Sequence, residues 1–526
     1  MQSHKFLQPA TFCTKTILQS YKTNMENKLK TKYNLPVAIC LVVGIIIGSG
    51  AFFKAIDVLN YTSGNLVQGV IAWVASGLVM LSCACALGRM AGKYKRCGGI
   101  VDYAEAMCGE NYAYYVGWFM ACIYCPTMVS FLAYASAKFI CILLGFSQTG
   151  GACLAIAGTL VVLSFALNSL APKLSGKFQI STTIIKLIPL LLMAVVGIIF
   201  GLCRGITVEN ITQTAKVAFG GGLFKAIVAT SFAYEGWIVA TSINSELKNS
   251  KRNLPLALLW GSVATMGIYL VYFLGLYGSA DISTLQQTGV SAGFVNIFGS
   301  VAGTILGVFA VVCCLGTLNG LTVGGARALY ALSSRNRGLL PEKFSQVDKS
   351  TNMPANSCVF GLVMTSLWLL YYYGAMLAPV KWFGVFSFDS CDLPVITIYA
   401  MYIPLFINFM RKEKSENKFF RFVLPVFAII ACLFMIFSAI MGHGVFEFQR
   451  AKEQGQFSFP VLFYLIIFAV LMLLGFLIDR KSARKKVPLK LSSKSETSPA
   501  QTPPPKQISQ QVSIFEEKNI EEDLKE

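Results

Sequence analysis

The stretch GIIIGSGAFF, residues 44–53, lies in an apolar run that begins near Leu35 and lasts about twenty residues, enough to cross a bilayer as a helix. Gly48, Ser49 and Gly50 fall at its middle. Each glycine costs a helix interior roughly 1 kcal/mol, so the pair predicts an interruption there. Unwinding in hydrocarbon leaves backbone groups unpaired, and protein, water or a ligand must satisfy them. A half-helix starting at AFF, residues 51–53, would aim free N–H groups at the midplane and stabilise an anion such as an α-carboxylate. The preceding half, ending around Ile46 and Ile47, would offer carbonyls to an ammonium. A zwitterionic amino acid fits both ends. The competing reading is a glycine pair used for close helix packing.

Apolar stretches of spanning length recur along the chain. They fall near 36–58, 66–88, 114–144, 152–170, 180–203 and 222–245. Six more fall near 255–278, 300–332, 357–376, 384–409, 422–441 and 459–478. The fold class expected is an all-α integral membrane protein with twelve transmembrane helices. Of 526 residues, 55% are hydrophobic and 13% charged, too little charge to cover a soluble surface. The formal charge of +19 concentrates on alternate loops. One set carries Lys28, Lys30 and Lys32, then Arg89, Lys93, Lys95 and Arg96, then Lys173 and Lys177, then Lys248, Lys251 and Arg252. It continues with Arg335, Arg337 and Lys343, with Arg411 to Arg421, and with Arg480 to Lys486. The other set offers Arg204, Lys216, Lys381, Arg450 and Lys452. Positive loops stay in the cytoplasm, which places both termini there and the chain in the cell membrane. The basic balance is therefore a topology signal, and no nucleic acid is expected.

A second interruption is written at TSFAYEGWIVATSI, residues 230–243, where Glu235 and Gly236 break an apolar run five spans after the first. Broken helices at corresponding places in two halves point to a transporter with its site at the midplane. A carboxylate at that depth marks a functional site by default; its alternative is pairing with a buried lysine such as Lys186, or protonation. Lys186 lies inside ISTTIIKLIPLLLMAVVG and reads equally as a proton- or cation-replacing group or as a lysine with its head in water at the span end.

Other chemistries find no support. Most of the sixteen cysteines lie in spans as small apolar residues, zinc spacing is absent, and the two histidines are His4 and His443. No metal and no cofactor are expected. The chain contains no Walker loop and no nucleophile–base pair. Met25 precedes a basic start, ENKLKTKYNLP, and is an alternative origin of translation. Residues 1–35 form the N-terminal segment, and 480–526 read as a disordered cytoplasmic tail.

These residues resemble a family. IGSGAFF resembles the span-1 GSGIF motif of the amino acid–polyamine–organocation superfamily, in particular its L-amino-acid-transporter branch. FAYEGW is similar to that branch's FAYxGW, and GTLNGLTVGGARALYALSSRNRGLLPEKF to its span-8 pattern of GxLN, an arginine, then SRxGxLP. Residues 351–355, TNMPA, resemble TPxPA, and ELKNSKRNLPLAL the entry to span 7. The resemblance covers spans 1 to 10. It implies a LeuT-like fold with residues 36–203 and 222–410 as inverted repeats, 421–479 outside them, and helices 1 and 6 discontinuous. It implies amino-acid transport by alternating access, as proton symport or exchange. It implies that Ser49 and Gly50 hold the substrate carboxylate. The carbonyls of Ile46, Phe232 and Ala233 hold its amino group, with Phe232 as gate and Lys186 as the coupling residue. Ala51 replaces the family's isoleucine, and the loop GFSQTGGA lacks the cysteine that joins animal relatives to a heavy chain, so no disulfide-linked heavy chain is expected.

Helix position makes Tyr124, Thr317 and Asn319 pocket candidates, with bonding to neighbouring backbone as the alternative for the last two. Glu235 would favour cationic side chains or make substrate binding pH-dependent. Asp389 and Asp392, at the start of span 10, read as solvated. A polyamine or organic-amine antiporter, and a non-transporting amino-acid sensor, are the rival functions.

Overall fold

The computed structural model describes residues 34–48, 50–94, 99–240 and 247–484. Met25, Ser49 and the tail from residue 485 lie outside them. Among the described residues every regular element is helical and no β-strand forms.

Nine described helices are long and apolar enough to cross a membrane. They are α3 (Leu66–Lys93), α5 (Glu110–Leu144), α6 (Gly151–Leu170), α12 (Ser250–Tyr277), the Gly303–Ser333 part of α14 (Val290–Ser333), α16 (Ala355–Leu377), α17 (Pro394–Lys412), α18 (Phe419–Glu453) and α19 (Pro460–Arg484, its apolar part Pro460–Arg480). A tenth span results if α8 (Leu187–Cys203) is joined to α9 (Ile206–Thr214) across an 82° bend. The two expected spans that fall short are the first and the sixth. The first divides into α1 (Leu35–Ile46) and α2 (Gly50–Tyr61), each 12 residues long. At 1.5 Å per residue each covers only about 18 Å of a core about 30 Å thick. The sixth divides into α10 (Gly221–Tyr234) and α11 (Trp237–Ala240).

Local sequence explains the breaks. Ile47 leaves the helix with ψ 112°. Glu235 is extended with ψ 162°, and Gly236 follows at φ 105°, a conformation open to glycine and not to L side chains. In α5 a π-turn over Met120–Tyr124 precedes Pro126, absorbing a residue that brings no N–H. The fifth expected span is also divided, α7 (Pro172–Ile185) ending at Lys186 before α8 begins. Four short helices were not expected, α4 (Ile100–Cys108) in the first basic loop, α9, α13 (Ile282–Thr288) and α15 (Pro341–Phe344).

Span 10 begins at Pro394, ten residues beyond the expected 384. Residues 387–393 are irregular, because Asp389 Oδ1 accepts the backbone N–H groups of Cys391 and Asp392 at 2.7 and 3.2 Å. Such side-chain turns compete with helix.

Between α8 and α12 the backbones touch. A Cβ on Gly197 would lie 2.4 Å from the Gly275 carbonyl oxygen, and one on Gly275 would lie 2.1 Å from that of Met193. Glycine allows that approach, as small residues do at membrane helix interfaces.

Candidate substrate site

The two interruptions meet. A Cβ on Gly50 would come within 2.6 Å of the Ala233 Cα, so the first residue of α2 lies directly on the last turn of α10. Around this crossing is a cavity of about 190 Å³. Its wall includes Ile46, Gly48 and Gly50 from the first break, Phe232, Ala233, Glu235 and Gly236 from the second, and Gln179 and Thr317 opposite. Ile47 is fully buried behind it, and Ser49 lies outside the described residues.

Glu235 contributes a carboxylate that is 9% exposed. Its Oε2 accepts the hydroxyl of Tyr124, carried by the π-turn of α5. Its Oε1 has no partner. The alternative pairing with Lys186 does not form: Lys186, 1% exposed, donates instead to the Gly44 carbonyl of α1. The reading that put the Lys186 head in water is thereby overturned, since α1 and α14 close over the break between α7 and α8.

Of the carbonyls expected to meet an ammonium, Ile46 and Ala233 share one hydroxyl proton and Phe232 accepts a backbone N–H. Tyr269 of α12 points its hydroxyl at the Ile46 and Ala233 carbonyls, 3.1 Å from each. The same oxygen accepts the Gly48 N–H at 3.3 Å. The Phe232 carbonyl accepts the Glu235 N–H at 3.1 Å. Each carbonyl oxygen keeps a second lone pair. Sequence reasoning missed Tyr269, as it missed Gln179.

Thr317 faces Gly48, where a Cβ would meet its Oγ1 at 2.7 Å, while its hydroxyl donates to Cys313 at 3.1 Å. Asn319 lines neither cavity described here; it bonds Ser175, Gln179 and Asn168 between α6, α7 and α14.

Phe232 stacks edge-on against Phe131 of α5, centroids 4.9 Å apart. Above both rings sits Lys54 of α2, its Nζ 5.1 and 5.0 Å from the two centroids, a cation–π arrangement. Lys54 is paired with Asp392 at 2.8 Å and Asp57 at 3.3 Å. Asp392 is fully buried, not solvated as expected, because the late start of α17 folds its approach segment inward onto α2.

A second cavity of about 520 Å³ adjoins the first and shares Met128, Leu321 and Val323 with it. Tyr124, Ile100, Asp102, Arg327 and Arg335 line it, and Phe232, Phe131 and Lys54 do not. Arg335 is held by Asp102 and Glu105.

Two broken rods crossing at a buried, amino-acid-sized cavity inside a helical bundle define a LeuT-like transporter. The solved structure of MhsT in complex with L-phenylalanine has this fold, with a TM-score of 0.50, 14% identity, and 77% of this chain and 98% of that one covered. Residues 33–479 match the family model described as amino acid permease, and the chain belongs to that family. It is similar to the serine/threonine exchanger SteT of Bacillus subtilis (strain 168), 28% identical over 79% of this chain and 92% of that one. It is also similar to b(0,+)-type amino acid transporter 1 of Homo sapiens, 24% identical over 80% and 85%. The protein is a multi-pass membrane protein and a secondary amino-acid permease.

Proposed function

We propose that the 190 Å³ cavity binds one α-amino acid and that the described state opens toward the cytoplasm. The carboxylate meets N–H groups at the start of α2, at Ser49 and Gly50, where the helix dipole is positive. The ammonium meets the spare lone pairs of the Ile46, Phe232 and Ala233 carbonyls. Glu235 Oε1, buried without a partner, is the observation that carries the substrate preference: it favours a side chain bearing a cation or a hydrogen-bond donor. The larger cavity continues from the pocket between the basic ends of the bundle, and basic loops face the cytoplasm. Both termini are cytoplasmic in this reading, and the membrane is the cell membrane. The other exit is closed by Phe232, Phe131 and the Lys54–Asp392 pair. Closing the wide side and opening the Phe232 side completes alternating access, as exchange or proton symport, with Lys186 fixing α1 to the α7–α8 break. No disulfide-linked heavy chain and no enzymatic step enter this scheme.

Purified protein in liposomes, offered a panel of labelled amino acids with and without a pH gradient, tests it. Uptake of at least one is expected, and Glu235→Gln should lower uptake of cationic substrates about tenfold or more while neutral ones change by less than about threefold, the scale of one charge-assisted hydrogen bond. Binding without flux would make the protein a sensor. The free Glu235 oxygen also supports a second reading, antiport of an organic amine, in which Glu235→Gln abolishes all uptake.

A further inference from the structure

Irregular residues 387–393 carry two carboxylates and a thiol, and ligand-type atoms of Asp389, Cys391 and Asp392 lie within 4.8 Å of one another. α2 brings Lys54 against them, 2.8 Å from Asp392 Oδ1 and 3.3 Å from Asp57 Oδ2. The charges do not balance. One ammonium faces three carboxylates. Asp57 is 37% exposed and keeps its water, while Lys54 and Asp392 are 1% and 0% exposed, so the excess negative charge that burial strongly disfavours lies on Asp389 and Asp392.

A separate observation points the same way. Asp392 Oδ2 is buried with no hydrogen-bond partner, and so are the hydroxyls of Ser387 and Ser390 in the same segment. The groups on neighbouring elements do not make up the deficit. Lys138 of α5 acts on the exposed Asp57, which leaves Lys54 as the ammonium beside Asp389 and Asp392. Tyr61 of α2 and Tyr372 of α16 add neutral hydroxyls that feel the same carboxylates. From α18, His443 acts on the cluster with its Nε2 unpartnered, while Lys225 of α10 is taken by Glu447.

We propose that the Asp389 carboxyl, set beside Asp392, holds one proton while the closure beneath Lys54 stands, and that opening on that side releases it to the adjoining water. The site is a proton-binding site distinct from Lys186 and Glu235; its role in transport rests on the reading above, its occupancy does not. Burial, then the adjacent Asp392 carboxylate, push the Asp389 carboxyl up to about 7. In the open state it returns to the ordinary value near 4. The closed form therefore keeps its full advantage below about pH 4 and loses up to about tenfold in population per unit as pH rises to about 7.

Cys391, fully buried under the closure, reports it without substrate, and Cys203 is exposed. The full-length protein in liposomes is treated with a membrane-impermeant thiol reagent at pH 5 and pH 7, and labelling is mapped by mass spectrometry. Dividing the Cys391 rate by the Cys203 rate cancels the reagent's own pH dependence. The ratio should rise about tenfold or more between the two, and by less than about threefold in Asp389→Asn, one proton having been removed from the linkage. Asn still accepts the two backbone N–H groups and so keeps the turn; Asp389→Ser serves as a second variant. A flat ratio in the parent, or a slope that survives both variants, overturns the proposal. Absence of flux with the slope intact would instead count against the transport reading alone.

Discussion

Replacing Tyr269 by Phe removes one oxygen atom from the point where the two breaks meet. The ring stays, held edge-on by Trp73 at 5.4 Å and tilted against Tyr234 at 5.2 Å between centroids. What disappears is a hydroxyl that accepts the Gly48 N–H and donates to one of two carbonyls, Ile46 or Ala233, at equal distance. One hydroxyl proton serves one acceptor at a time, so two hydrogen bonds are lost, not three. At about 1 kcal/mol net each the loss is about 2 kcal/mol, a factor of about 30 in an equilibrium constant. Gly48 is buried in the wall of the cavity. The loss falls on the geometry of the substrate ends, so KM for uptake should rise about tenfold to thirtyfold while the unfolding midpoint drops by a few degrees. Tyr234→Phe is the control: that hydroxyl donates to the Trp73 carbonyl at 3.1 Å and touches neither break. It should cost about 1 kcal/mol of stability and leave KM unchanged. If Tyr269→Phe transports with a KM within about twofold of the parent, the hydroxyl does not position the breaks.

Two further substitutions probe the same geometry. Lys54→Met leaves Asp392 buried and unpaired, which should destabilise the protein by about 3–5 kcal/mol, measured as thermal unfolding in detergent; Lys54→Met with Asp392→Asn should recover most of it. Recovery of less than half would place the stability elsewhere. Gly50→Ala puts a methyl group 2.6 Å from the backbone of Ala233, where no side chain can give way, so substrate binding measured by scintillation proximity should be lost even where the protein still purifies as a monodisperse species.

The breaks were legible because unwinding needs particular residues. Gly236 adopts φ 105°, and a carboxylate beside it in an apolar run marks a site by default. The same rule marks Lys54 and Asp57, four and seven residues after Gly50. Asp392 was read as wet because span 10 was started at 384; Pro394 at the first helical turn and the Asp389 side-chain turn carry the later start. Tyr269 was not legible. An aromatic residue in an apolar helix looks like core, and its partner at Ile46 is 223 residues away. Gln179 fell one residue outside the expected span.

The glycine seam between α8 and α12 has a mechanical result. Lys186, at the root of α8, grips the Gly44 carbonyl, and Tyr269 on α12 grips that of Ile46. Because the two helices touch backbone to backbone, their grips on α1 belong to a single plate. Any tilt of α1 during the cycle must therefore carry that plate with it or break a hydrogen bond to it.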